Sequence, residues 1–404
     1  MVKRNPNMAK LQSSYLFPEI AKRKKEFLSK NPHAKLISLG IGDTTQPITP
    51  HIMEGLSDEV SRLGTKKGYN GYGAEQGLKE LRDRIAERLY KGVIEGDEVF
   101  VSDGAKPDTA RLQVLFGSNA TIAVQDPSYP VYVDSSVILG QTKNYNKRKS
   151  QFDGIEYMEC TPENSFFPDL KKARKTGIIF FCNPNNPTGA AVNAEQLKKL
   201  VDFAGRNNSI LVYDSAYSQF ISDKSLPKSI YEIKGAKKVA IEISSFSKPI
   251  GFTGIRLGWT IIPNELAFED GTPVNKDWNR ITTTLFNGAS NIAQCGALSA
   301  LDKDGMKEMR NSINYYLENA RVIRTSMKKL NYEVYGGVHA PYLWVRVPGK
   351  TSWQAFEEFL SKAHIVTIPG AGFGPSGEGF LRLSALGHRE DVKEVVKRIE
   401  RLMK

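Results

Sequence analysis

The chain has 404 residues, 40% of them apolar and 25% charged, with a formal net charge of +12 and a mean hydropathy of −0.37. That length exceeds one ordinary hydrophobic core and predicts two or three domains. No apolar run reaches the ~18 residues that would cross a bilayer, and no secretory signal is visible. The three cysteines, Cys160, Cys182 and Cys295, are too few and too scattered for a disulfide frame or a zinc site, and they suit a reducing compartment. Much of the positive charge sits in short surface-like runs at 22–25 and 147–149, without any nucleic-acid-reading module. The expectation is a cytoplasmic protein with no metal, nucleic-acid or membrane partner, whose charge mildly favours anionic small molecules.

Residues 1–35 read as a polar, basic arm with one aromatic-apolar cluster, Tyr15-Leu16-Phe17-Pro18. A short strand over 35–42 runs into Gly40-Ile41-Gly42-Asp43-Thr44-Thr45, where two glycines permit close backbone approach. The loop 68–77 opens a helix over 78–91, with Leu78, Leu81, Ile85 and Leu89 on one face. A strand over 98–102, the turn Asp103-Gly104-Ala105-Lys106 and a helix through 116 form an anion site, because unpaired amides and the helix dipole point at it. The strand over 121–125 ends in Asp126-Pro127-Ser128-Tyr129-Pro130. An apolar strand over 178–183, buried on both faces, leads into Asn183-Pro184-Asn185-Asn186-Pro187-Thr188-Gly189. The strand over 210–213 ends at Asp214, with Tyr217 three residues on. A carboxylate there either caps a helix or needs a cation.

The strand over 239–243 delivers Ser245-Phe246-Ser247-Lys248, and Arg256 follows within the next turn. A lysine in a partly dry turn can be neutral at pH 7 and attack a carbonyl, forming a Schiff base. Two hydroxyls and a guanidinium suit a phosphate dianion. A carbonyl and a phosphate on one small molecule describe pyridoxal phosphate. Asn186, Asp214 and Lys248 each follow a strand of one open α/β sheet, and such sheets bind ligands at the carboxyl ends of their strands, so the three can converge. Beyond Trp259 the pattern weakens until a helix over 306–329, after which strands and helices alternate as in a second α/β domain. There, Gly372-Phe373-Gly374-Pro375-Ser376-Gly377 matches Gly-x-Gly-x-x-Gly. It contains a proline and opens no helix, so dinucleotide binding is not expected. Arg382, set among apolar strand residues, must meet an anion.

Ser-Phe-Ser-Lys with Gly-Phe-Thr-Gly-Ile-Arg, and Asn-Pro-Thr-Gly after a buried strand, resemble the aspartate-aminotransferase-like (class I/II) enzymes. The landmarks run in the right order from Gly40 to Arg382. The resemblance implies an α/β, fold-type I architecture. A large domain (46–295) would hold a mostly parallel open sheet flanked by helices, and the N-terminal arm (1–45) with 296–404 would form a smaller α/β domain. It implies pyridoxal 5'-phosphate held by Lys248, with the phosphate taken by the amides of Ala105 and Lys106, by Ser245, Ser247 and Arg256, and by Tyr72 of a second subunit. Tyr129 would lie on the ring face, Asn186 and Tyr217 at the phenolic oxygen, and Asp214 at the ring nitrogen. Lys248, Asp214 and Tyr217 are the catalytic candidates. Arg382 would take the substrate α-carboxylate beside Gly42, and Asn287 and Tyr15 are further substrate candidates, Tyr15 being equally an anchor of the arm. Sharing Tyr72 makes a homodimer obligatory.

Within that family, Ser-Tyr-Leu-Phe-Pro-Glu, Gly-Ile-Gly-Asp-Thr-Thr, Gly-Tyr-Gly-Ala-Glu-Gln-Gly and Asp-Gly-Ala-Lys are similar to the subgroup acting on LL-2,6-diaminopimelate. Such enzymes exchange amino groups between that diamino acid and glutamate by ping-pong kinetics. In this reading Glu75 enters the second subunit's site with Tyr72 and grips a distal ammonium, while Lys106 meets a distal carboxylate. The residues alone also allow Glu75 to be a helix-start acid favoured by the dipole. Aminotransfer to acidic or aromatic substrates, a β-C–S lyase on the same fold and a non-catalytic regulator are the alternatives. The last usually carries an added DNA-binding domain, for which this length leaves no room.

Overall fold

The computed structural model describes residues 1–11, 16–40 and 42–402. Seven strands build the main sheet: β1 (Val99–Ser102), β2 (Ile122–Asp126), β3 (Ile155–Glu159), β4 (Ile178–Cys182), β5 (Ile210–Asp214), β6 (Ala240–Ser245) and β7 (Gly258–Ile261). Their order is β1-β7-β6-β5-β4-β2-β3. Every pairing is parallel except those of β7, which runs antiparallel to β1 and β6. Alternate side chains explain the unbroken apolar runs. Ile179, Phe181, Leu211 and Tyr213 enter one buried cluster, whereas Phe180, Val212, Ile241 and Ile243 enter another on the opposite face. Each such side chain contributes roughly 1.5–3 kcal/mol by leaving water, which makes the sheet a stiff platform. The register sets Cys182 beside Asp214 and Asp214 beside Ile243, so the carboxyl ends of β4, β5 and β6 lie level.

A second, antiparallel sheet contains β8 (Val334–Gly336), β9 (Tyr342–Arg346), β10 (Ile368–Pro369) and β11 (Phe380–Ser384), in the order β8-β9-β11-β10. Trp344, Leu381 and Leu383 pack there with Phe356 and Val395 from the helices Ser352–Ala363 and Arg389–Leu402. The helix Lys303–Lys329 ties the two cores together. Its Met309, Ile313 and Tyr316 belong to the main core, and its Ala320, Ile323 and Met327 to the second. No helix among the described residues is long and apolar enough to cross a membrane.

Three readings of the sequence need correction. Residues 1–35 are more than an arm: Leu16–Lys30 is a helix whose Leu16 and Ile20 are buried in the second core. The strand expected over 35–42 reduces to Ile37–Ser38, paired in parallel with Ile365–Val366. The stretch after Trp259 holds two helices, Val274–Leu285 and Asn291–Ala300.

Candidate active site

A cavity of about 500 Å³ opens where the carboxyl ends of β4, β5 and β6 meet the second sheet. Gly42, Ala105, Lys106, Tyr129, Asn186, Asp214, Tyr217, Ser245, Ser247, Lys248, Arg256 and Arg382 all line it. Residues up to 340 positions apart in sequence thus share one cleft, as an open α/β sheet allows.

One end of the cleft is built for an anion. Some helices of the chain carry side-chain caps, such as Asn193 before Ala194–Asn207 and Asp302 before Lys303–Lys329, and others, such as Pro50–Leu63 and Lys79–Tyr90, do not. The helix Ala105–Phe116 starts at Gly104 without one, which leaves its first amides and its dipole directed at the cavity. Arg256 closes this end. Its Nη1 donates to Ser247 Oγ (3.2 Å) and to the Thr253 carbonyl (3.1 Å), both neutral acceptors. Ser245 Oγ donates to Ser247 Oγ at 2.8 Å. Gly104 has φ of +126°, and a Cβ there would stand 2.5 Å from Arg256 Nη2. Glycine at 104 therefore permits both the backbone bend and the seat of the guanidinium.

Lys248 stands between that end and the second sheet, its Nζ donating to the Gly42 carbonyl. Burial pushes its amine down to about 8, Asp43 opposes the shift, and Arg382, Arg256 and Lys106 reinforce it. Gly42 is tightly placed, since a Cβ there would lie 3.0 Å from Tyr342 Oη.

Asp214, at the end of β5, accepts hydrogen bonds from Tyr132 Oη (2.6 Å) and the Ala216 amide (3.0 Å). Neither donor is a cation, and burial raises the carboxyl's pKa against these two bonds. A buried carboxylate so placed is completed by a positive charge from a ligand. Asn186 accepts from Arg382 Nη1 at 2.8 Å, which commits its oxygen and leaves its amide nitrogen as a donor. The Asn186-Pro187 bond is cis. Tyr217 Oη lies 2.7 Å from Tyr342 Oη.

Arg382 is only 3% exposed. Its Nη2 donates to the Gly40 carbonyl (2.7 Å), its guanidinium carbon lies 4.6 Å from the Tyr342 ring centre and 4.9 Å from that of Phe373, and its Nε has no acceptor among the described residues. A guanidinium dried by two aromatic rings and given only neutral oxygens is a seat for an incoming carboxylate.

Three expected residues do not reach this cleft within their own chain. Tyr72 is 91% exposed, and Glu75 is also exposed. Glu75 sits in a turn ahead of the helix Lys79–Tyr90, whose first-turn acid is Glu80, so it is not the helix-start acid. Asn287, in the left-handed region at φ +67°, precedes Gly288, whose Cβ would stand 3.6 Å from the Glu75 Cα. Glu75 and Asn287 therefore belong to one outer surface. Tyr15 lies outside the described residues. Sequence reasoning missed Tyr132 and Tyr342. Tyr132 carried a faint signal, three positions after Tyr129 on the same segment, while Tyr342 carried none beyond its place in an apolar strand.

A family model for class I and II aminotransferases matches residues 34–399. The chain belongs to that family. It is 58% identical over 404 residues to the chloroplastic LL-diaminopimelate aminotransferase of Arabidopsis thaliana, covering all of this chain and 87% of that one. It is 54% identical over 400 residues to the LL-diaminopimelate aminotransferase of Protochlamydia amoebophila, covering 99% and 97% of the two chains. Among solved structures, the L,L-diaminopimelate aminotransferase of Chlamydomonas reinhardtii is 55% identical and superposes with a TM-score of 0.96 over 100% of this chain and 99% of that one. The architecture is fold-type I, and this aminotransferase family works with pyridoxal 5'-phosphate. The cleft fits that group: an uncapped helix start with a seated arginine for a phosphate, an amine of lowered pKa for an aldehyde, and a cation-seeking carboxylate for a ring nitrogen.

Proposed function

We propose that this aminotransferase exchanges amino groups between LL-2,6-diaminopimelate and 2-oxoglutarate, giving tetrahydrodipicolinate and glutamate, with Lys248 as its catalytic base. The observation that carries aminotransfer is the buried Arg382, whose polar partners among the described residues are Asn186 and the Gly40 carbonyl, facing the same cavity as the lowered amine of Lys248. The choice of diamino acid rests on identity of 54% or more along nearly the whole chain to aminotransferases of that name.

In this reading the Ala105 and Lys106 amides, Ser245, Ser247 and Arg256 would hold the cofactor phosphate, and Asp214, which accepts from Tyr132, would pair with the ring nitrogen. Asn186 and Tyr217 would take the phenolic oxygen, and Tyr129 would cover the ring. When bound, pyridoxal 5'-phosphate supplies an aldehyde that condenses with amines and a ring that accepts the electron pair left by a departing α-proton. Arg382 fixes the substrate α-carboxylate. The Nζ of Lys248 removes the α-proton and later returns a proton, a role for which a pKa near the working pH is suited. The first product leaves before the second substrate enters.

The homodimer belongs to the same proposal. Tyr72, Glu75 and Asn287 cannot serve their own cleft, yet Tyr69 and Tyr72 are 70% and 91% exposed, an arrangement that a second copy would cover. Glu75 then supplies a carboxylate for the distal ammonium of the diamino acid, with Lys106 opposite for its distal carboxylate. Initial rates test the substrate assignment. LL-diaminopimelate with 2-oxoglutarate should yield glutamate at a kcat/KM at least ~100-fold above that of aspartate or phenylalanine, as a distal charge pair allows. Equal rates for all donors, or pyruvate release without an oxo acid, would overturn it.

A further inference from the structure

The glycine-rich run at 372–377 opens no α-helix. Its residues form two short 3-10 turns, Gly370–Phe373 and Pro375–Gly377, and the chain uses it to join the second sheet to the main one. Asp126 ends β2 and is 3% exposed. Its carboxylate accepts three contacts from Ser376: the amide at 3.2 Å and 3.1 Å to the two oxygens, and the hydroxyl at 2.7 Å. Two residues on, the Ser128 amide donates to the Phe373 carbonyl at 2.9 Å. Gly374 lies between, at φ +131°, and a Cβ there would stand 2.1 Å from Asp126 Oδ1.

Both partners of this joint reach the cleft. Beyond Asp126 and Ser128 the chain continues to Tyr129, which lines the cavity. Phe373 stacks over Arg382 and meets Trp344 edge-on at 6.1 Å. We propose that Asp126 is a positioning residue, clasping the loop of Gly374 and Ser376 to the end of β2 and so setting Phe373 and Arg382 against the Tyr129 side of the cleft. The helix start and Arg256 lie apart from the clasp, on the β1, β6 and β7 side of the sheet. The clasp therefore governs how substrate carboxylate is held, not how the cofactor phosphate is held. The role rests on reading Arg382 as the carboxylate seat.

The test compares holoenzyme variants in single-turnover reaction with glutamate, reading the apparent Kd, the limiting rate and the cofactor Kd. Asp126→Ala and Gly374→Ala are expected to raise the glutamate Kd about tenfold, as loss of hydrogen bonds to a charged group does. Their limiting rate and cofactor Kd should stay within about twofold, the signature of lost ground-state binding. Asp126→Asn, which still accepts from the Ser376 amide, should recover most of the affinity. Ser376→Ala removes one hydroxyl, and should give a rise of about two- to threefold even if the other variants fail to fold. An unchanged glutamate Kd in Ser376→Ala and Gly374→Ala, or a parallel loss of cofactor affinity, would overturn the clasp. Arg382→Lys separates the two ideas. If it raises the glutamate Kd while the clasp variants do not, the clasp alone is wrong. If it changes nothing, the carboxylate seat is wrong and the clasp's role falls with it.

Discussion

Lys248 must be buried to be reactive and yet reachable by a carbonyl, and the structure lowers its pKa by burial and then by the like charges of neighbouring cations. Desolvation lowers its pKa first, and Arg382, Arg256 and Lys106 lower it further. At pH 7 an amine of pKa about 8 is roughly one-tenth free base, against about one part in three thousand for an ordinary lysine. Because the shift is downward, the reactive form accumulates as pH rises through 8 and not through 10.5. Capture of pyridoxal 5'-phosphate by the apoenzyme, followed as growth of visible absorbance, should therefore speed up between pH 6 and 8 and level off above about 8. A rate still climbing tenfold per pH unit at pH 10 would contradict that assignment. Lys248→Ala should lose both the absorbance and turnover. Asp214 and Arg382 were legible in sequence because each ends or sits in an apolar strand where a polar group demands a partner, and Lys248 and Asn186 because each lies in a distinctive short motif just beyond such a strand. Tyr132 and Tyr342 were not, because a buried tyrosine fits an ordinary core equally well, and their partners lie 82 and 125 positions away.

Among the elements, the helix Ala105–Phe116 matters most, because its uncapped start opens on the cleft beside Arg256. Gly104→Ala would bring a methyl group to 2.5 Å from Arg256 Nη2 at a φ of +126°, displacing the guanidinium and straining the bend. Cofactor affinity should fall at least ~10-fold, since a charge-assisted contact to phosphate contributes about 1.5–3 kcal/mol. Fluorescence titration of the apoenzyme measures this, and an unchanged Kd would show that Arg256 is not a phosphate ligand. The strands of the main sheet were readable because parallel strands covered on both faces are continuously apolar. The helix Leu16–Lys30 was not. Its buried Leu16 and Ile20 are followed by a basic run on the solvent side, at 22–25, which hides the helical period behind charge. The helices Val274–Leu285 and Asn291–Ala300 escaped notice for a related reason. In the first, polar residues outnumber apolar ones, and the second is marked at its start only by the Ser290 cap.

For the whole molecule, the cleft in one chain is an incomplete account of the residues gathered around it. Tyr72, Glu75 and Asn287 were singled out by resemblance, and their exposure in a single copy is intelligible if they serve a second one. Mixing Lys248→Ala subunits with Tyr72→Ala subunits tests this directly. Random pairing makes half the dimers mixed, and each mixed dimer contains one native site, so about a quarter of wild-type activity should appear. No activity above that of the unmixed variants would show that each chain works alone. Glu75→Gln should weaken LL-diaminopimelate at least ~10-fold more than glutamate, because only the former presents a distal ammonium.

What the protein does with one amino donor at a time decides its substrate. Holoenzyme mixed with LL-diaminopimelate, and separately with glutamate, meso-diaminopimelate or aspartate, should convert its visible cofactor absorbance stoichiometrically and without any oxo acid present. Rapid conversion by LL-diaminopimelate and by glutamate, with aspartate inert, is the predicted result. Conversion by aspartate or aromatic amino acids in place of LL-diaminopimelate would leave an aminotransferase and contradict the substrate assigned to it.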